Sequence, residues 1–326
     1  MTKNPYIAGL VAGGVAALLY LSLATGSAIG LLLFYLAPLP GFIAGFGWGV
    51  RAAAIAALAG TILILASLGI TPAIAYGASL AIPSVIITHF AFLYRVSDLP
   101  QAETVGTAET EVKIEWYPVG NLVLITTLYG GVLAMLAILL LGPSHEAYLA
   151  KIGSELDMIL GKASEAGFFK KLPPEKLEQY KQLVQAALPA STAILWSLLA
   201  LINMWIAAHI VRVSELLTRP WPDLSSIELP VKYSFALVIV LGLSLILPGL
   251  AGLILSAFAG ALMLAFLLLG LAVVHYVTRT WPARGLILFV TYVAAIFIGW
   301  GSIVLVVLGA IEPLAQLRKR VIIAPS

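Results

Sequence analysis

The chain contains no cysteine, which excludes disulfides, thiolate chemistry and cysteine-ligated zinc or iron–sulfur centres. Charge is scarce as well. Asp, Glu, Lys and Arg make up 10% of 326 residues, against about 25% in soluble domains. Between residues 4 and 94 the one formally charged side chain is Arg51. Long apolar runs fill the space that charge leaves: 61% of the residues are hydrophobic and mean hydropathy is +1.06. A water-soluble domain is excluded, and an all-α, polytopic transmembrane helix bundle is expected. The net charge of +3 does not point to nucleic acid, because the basic residues are scattered at the ends of apolar runs, where they read as topology signals.

A span of the hydrocarbon core needs about 20 apolar residues. Nine runs qualify, near 6–24, 27–50, 52–70, 72–94, 118–141, 188–211, 233–248, 251–277 and 286–311. The first begins at Pro5 and has no convincing cleavage site, so it reads as a retained helix. Three parts follow: helices one to five over 1–141, an extracytoplasmic amphipathic helical hairpin over 142–187, and helices six to nine with a basic tail over 188–326. The hairpin rests on Leu149, Ile152, Leu156 and Ile159, then Leu177, Tyr180 and Val184 after Pro173-Pro174, with Gly167 near the break. Its six lysines balance six carboxylates, so it is not a polybasic lipid binder. Residues 96–114, polar, acidic and without periodicity, read as a flexible loop. Trp116-Tyr117-Pro118, Trp221-Pro222 and Trp281-Pro282 stand beside spans as interfacial anchors.

The second run is interrupted by Pro38 and Pro40 with Gly41. Proline removes a backbone donor and clashes with the preceding turn, so the helix breaks and its freed carbonyls need partners inside protein or a wet cavity. The polar groups expected near that break are Thr25, Ser27 and Tyr35, with Asn203 from the sixth run. Together with Pro38, Pro40 and Gly41 they form the candidate ligand site, although packing around a kink accounts for the prolines equally. Small residues four apart on the first run, Ala8, Ala12 and Ala16, serve either close packing within the chain or docking of a membrane partner.

Reactive constellations are missing. No Walker A, HExxH or GxSxG pattern occurs, and no Asp or Glu lies within an expected span, which argues against a proton relay or a carboxylate cation site. No enzyme activity and no cofactor are expected. His89, His209 and His275 each precede an arginine (Arg95, Arg212, Arg279) by one to two turns. They converge as a metal or proton site only if their helices are neighbours; hydrogen bonding to carbonyls is the simpler role. Lys and Arg fall in alternate short loops, which places the N-terminus on the cytoplasmic side of the membrane. The triplet Arg318, Lys319 and Arg320 breaks that pattern unless the last run, interrupted by Gly299-Trp300-Gly301, is re-entrant; a full span is the expectation.

Through FYLAPLPGFIAGFGWGVRAA (34–53), EWYP (115–118) and LLLGLAVVHYVTR (267–279), the chain resembles the proteobacterial branch of the YybS-like family of multi-pass membrane proteins. The resemblance covers nearly the whole chain and implies no catalytic or ligand residues. A second resemblance, through Ala8, Ala12 and Ala16, is to the substrate-binding subunits of energy-coupling-factor vitamin transporters, in which such a stripe docks the coupling partner. The present chain departs from these in its nine runs, against six, and in the inserted hairpin. Together these features imply a membrane-embedded binding subunit for a lipid or small molecule, dependent on a partner for energy. The alternative is a non-catalytic membrane scaffold.

Overall fold

A computed structural model describes residues 4–98, 112–165 and 173–320. It is an all-α polytopic bundle: α1 (Pro5–Leu21), α2 (Ala28–Tyr35), α3 (Leu39–Trp48), α4 (Val50–Leu68), α5 (Ile70–Tyr76), α6 (Ile82–Ala91), α7 (Val119–Leu141), α8 (His145–Glu165), α9 (Pro174–Val213), α10 (Lys232–Ile246), α11 (Gly249–Val277), α12 (Arg284–Phe297), α13 (Gly299–Ala315) and α14 (Leu317–Arg320). Two compact units divide the chain, 1–126 with 199–224, and 127–198 with 225–326. The division cuts α7 and α9 and does not follow the three parts expected from the sequence.

Among the described residues, seven helices are long and apolar enough to cross a membrane, or eight if α12 and α13 make one span. Two of the nine expected runs differ. The seventh is α10, only 15 residues, or about 22 Å at 1.5 Å per residue, short of the roughly 30 Å hydrocarbon core. The ninth is not a straight span: α12 and α13 meet at Ile298 with a bend of 113°. The interruption seen at Gly299-Trp300-Gly301 turns the chain here, with the backbone of Gly301 packed onto the carbonyl of Ala294.

In the first unit, α1 lies directly on α4. A Cβ at Gly9 would sit 2.7 Å from the carbonyl oxygen of Ala52, so the two backbones touch and dispersion between them is maximal. Ala16 is buried, and Ala12 packs against Ala44, Ala52 and Ala56. Tyr6, Leu10, Val11 and Leu18, on the opposite face, are exposed, as lipid-facing side chains would be. A π-helical turn, Gly77–Ala81, precedes Pro83; the extra residue absorbs the hydrogen bond that proline cannot make.

The expected loop at 96–114 has ordered ends. β1 (Tyr94–Asp98) pairs antiparallel with β2 (Val112–Trp116), placing Tyr94 opposite Trp116 and Val96 opposite Ile114. Aromatic and β-branched cross-strand pairs stabilise such a ribbon, and that short alternation is easily missed beside polar residues. The remainder of that loop, 99–111, and Gly167 lie outside the described residues.

In the second unit α11 is the central helix, with Ala259, Ala261, Leu264, Ala265, Phe266 and Leu269 buried. The backbone of Gly309 on α13 lies against the carbonyl of Phe266, and that of Gly270 against Leu305. Ala134, Ala193, Ala257 and Ala261 make a core of small side chains where α7, α9 and α11 meet. The hairpin forms, but its second arm is not a separate helix: α9 runs unbroken for 40 residues through Pro189, about 60 Å, or twice the hydrocarbon thickness. Its N-terminal turns hold α8 through Gln185, whose Nε2 donates to the Leu149 carbonyl at 3.2 Å, and through Lys181, 2.8 Å from Asp157. Tyr148, 1% exposed, seats α8 beside Ile138 and Leu253.

Replacing Gly309 by alanine forces a methyl group into the Phe266 carbonyl and is expected to cost about 1–3 kcal/mol. Gly14, where an added methyl group would meet nothing within 4 Å, is the control. Thermal unfolding in detergent should show a clear loss for Gly309→Ala and none for Gly14→Ala; equal midpoints would contradict the packing described.

Candidate functional site

The break in the second span resolves itself inside the protein. Around residues 36–38 the backbone tightens: Leu36 N–H donates to Leu33 at 3.1 Å, Ala37 to Phe34 at 3.0 Å and Leu39 to Leu36 at 3.0 Å. The carbonyl of Tyr35 is passed over. Asn203 on α9 supplies the missing donor, its Nδ2 lying 2.9 Å from Tyr35 O and 2.9 Å from Leu199 O. Ala28–Trp48 therefore remains one 21-residue span in which a side-chain amide stands in for a backbone one.

The seven residues expected to bind a ligand do not form one pocket. Thr25 and Ser27 close an exposed turn: Thr25 Oγ1 donates to the Ser22 carbonyl, and Ser27 Oγ, the N-cap of α2, accepts from Gly30 N–H at 3.0 Å. Tyr35 contributes its carbonyl to the break. Pro38 and Gly41 line a cavity of about 10 Å³ with Ala16, Tyr76 and Ser84, space for one water at most. Pro40 sits at the second position of α3. Asn203 is 1% exposed, with Oδ1 lacking a partner among the described residues. Of the stripe on α1, Ala12 and Ala16 face the chain's own α3 and α4, and Ala8 is half-buried.

Each of the three histidines has a neighbour of its own. His209 stacks on Trp205 with ring centroids 5.7 Å apart and meets Trp221 edge-on. His275 Nε2 is 2.9 Å from Tyr292 Oη, and His89 contacts Phe90. Among the described residues no three His, Cys, Asp or Glu side chains could hold a metal ion together.

A site not foreseen lies where α9 ends. Glu215 takes a positive φ of 58°, and Leu216 N–H reaches back to the Val211 carbonyl, a left-handed helix ending. The chain then continues as Thr218-Arg219-Pro220-Trp221-Pro222, in which the prolines prevent helix. The Arg219 guanidinium donates through Nη1 to Ala91 O and through Nη2 to Tyr117 O, both at 2.7 Å. The first of these carbonyls is at the end of α6, where no intrahelical donor exists. Trp116 lies 5.9 Å beneath the same guanidinium, and Arg212 sits 4.7 Å over Trp221. Burial pushes the Arg219 pKa down, yet arginine stays charged in proteins.

Beside Arg219 is a cleft of about 90 Å³, lined by Phe46, Phe92, Leu122, Met204, Trp205 and Trp221, in which Arg219 is the one charged lining residue among those described. An apolar slot with a fixed cation at its edge is suited to an amphipathic molecule with an anionic end. Two of the three Trp-Pro corners, read from sequence as anchors, form this site. The sequence signal was the proline-flanked arginine between aromatics, which topology alone explained equally well.

The fold and this site define a multi-pass helical membrane protein. It belongs to the family described as a predicted membrane protein (DUF2232), whose model matches residues 14–312. No curated protein and no solved structure matches it.

Proposed function

We propose that the protein is a membrane-embedded binding protein for an amphipathic anion, taking the few carbons next to the ligand's anionic end into the cleft beside Arg219 and the anionic end itself onto the guanidinium. The observation carrying this reading is one half-buried cation set in an otherwise apolar slot of about 90 Å³, about three water volumes. Two of arginine's five donors are used by carbonyls, which fixes the plane of the fork and leaves the others for a carboxylate or phosphate. Lipid is the expected partner. Transport, if the protein performs it, would draw energy from a separate subunit, in line with the resemblance to energy-coupling-factor binding subunits. The scaffold reading is less favoured, because the small-residue stripe it relied on is packed against the chain's own helices.

Native mass spectrometry of the detergent-purified protein with added palmitate tests this. Wild type should retain the fatty acid; Met204→Trp, which fills the cleft, and Arg219→Gln should each weaken retention about tenfold or more, the scale of one charged hydrogen bond. Retention unchanged in Met204→Trp would overturn the assignment of the cleft.

For orientation we propose a bacterial inner membrane with the N-terminus and the arginine-rich ends (Arg51, Arg95, Arg219, Arg279) in the cytoplasm and α8 outside, supported by the Lys and Arg bias of short loops. Because the chain has no native cysteine, single introduced cysteines report their side unambiguously. Asp157→Cys should label with a membrane-impermeant maleimide in intact cells and Thr218→Cys only after lysis; the reverse pattern would invert the topology.

A further inference from the structure

A second charged site lies within the unit of 127–198 and 225–326, at the end of α13. Glu312 is the only carboxylate in the sequence between residues 232 and 315 and is 4% exposed. Pro313 follows it, and Gln316 in the left-handed region (φ 50°) folds the chain back. Arg318, 9% exposed, thus meets the carboxylate six residues earlier: Nε to Oε1 is 2.8 Å, and Leu317 N–H donates to Oε2 at 2.9 Å. Nη1 also donates to Ser225 O at 2.9 Å. Among the described residues these two acceptors occupy two of five guanidinium donors. The desolvation cost of a buried pair can exceed its Coulombic gain, so its presence is weak evidence of stabilisation. Here it borders a cavity of about 230 Å³ floored by Leu229 and Leu269, with Glu228 and Lys319 also in the wall.

The wall carries two acids, Glu228 and Glu312, and two bases, Arg318 and Lys319. A lone anion would meet Glu228 and a lone cation would meet Arg318; a ligand bearing both charges meets neither conflict. We propose that this cavity binds a zwitterionic group, an ammonium joined by a few bonds to a phosphate or carboxylate. Arg318, held in plane by Glu312, takes the anion with Lys319 beside it, and Glu228 takes the ammonium. The volume, about eight waters' worth, suits a headgroup-sized molecule, which can arrive either on a lipid or free in solution.

The test uses the full chain in detergent and native mass spectrometry with lipids of identical acyl chains bearing phosphoethanolamine or phosphoglycerol headgroups, and with soluble phosphoethanolamine. Wild type is expected to favour an ethanolamine probe about tenfold, the worth of one charged hydrogen bond. Glu228→Gln, at an exposed side chain, should abolish that preference without affecting the fold. The double variant Glu312→Gln with Arg318→Gln, which keeps a hydrogen-bonded pair in place, should lose binding altogether. If soluble phosphoethanolamine displaces the lipid, the ligand is a free zwitterion; if it does not, the ligand is the lipid headgroup. Failure of wild type to retain any ethanolamine probe, or a preference that survives Glu228→Gln, overturns the proposal. Should the double variant not fold, Glu228→Gln alone decides.

Discussion

In a lipid interior a backbone group cannot borrow a partner from water, and an unpaired one costs several kcal/mol. That constraint explains the hydrogen bond from Asn203 to the Tyr35 carbonyl more directly than any binding role. The prolines at 38 and 40 interrupt the helix, the local turns rescue three carbonyls, and a side chain 168 residues away rescues the fourth. The same constraint accounts for the π turn before Pro83. It also accounts for Ser84, Thr126 and Ser197, whose hydroxyls donate to carbonyls of their own helices.

Charge obeys a parallel rule. The arginines that matter are not mid-span; they stand where helices end and carbonyls are left without intrahelical donors. Arg219 takes Ala91 at the end of α6, and Arg318 takes Ser225 while holding Glu312. Removing Arg219 leaves the Ala91 and Tyr117 carbonyls without its donors, and truncating one member of the buried Glu312–Arg318 pair costs about 3–5 kcal/mol, mostly because the other is left uncompensated. Both sites are therefore structural in the first instance, and each still leaves guanidinium donors beside a cavity. Those spare donors are what the proposed binding roles rest on.

Much of the fold was legible because apolar length and helix period are properties of contiguous residues: α1, α4, α7 and α11 stand where hydropathy placed them. The close approach of Gly9 to α4 was legible as a small-residue stripe, although the stripe could not say which helix it faced. What failed depended on distant partners. The strands at 94–98 and 112–116 are recognisable only once paired, and the 40-residue continuity of α9 overrode the expected boundary between hairpin and span after residue 187. Glu312 was placed one residue beyond an expected span, so a buried carboxylate escaped notice; only the fold-back at Gln316 brings Arg318 onto it. Asn203 was singled out for its burial, but its role proved to be the repair of the break that defined the candidate pocket.

The central claim is that the interrupted second span is sealed by protein and not by water. Hydrogen–deuterium exchange of the protein in lipid nanodiscs tests it at the amides of Leu36, Ala37 and Leu39. The account predicts protection comparable to that of the uninterrupted α4, with rapid exchange appearing in Asn203→Leu. Fast exchange at those amides in the wild-type protein would show that the break opens onto water and would contradict it.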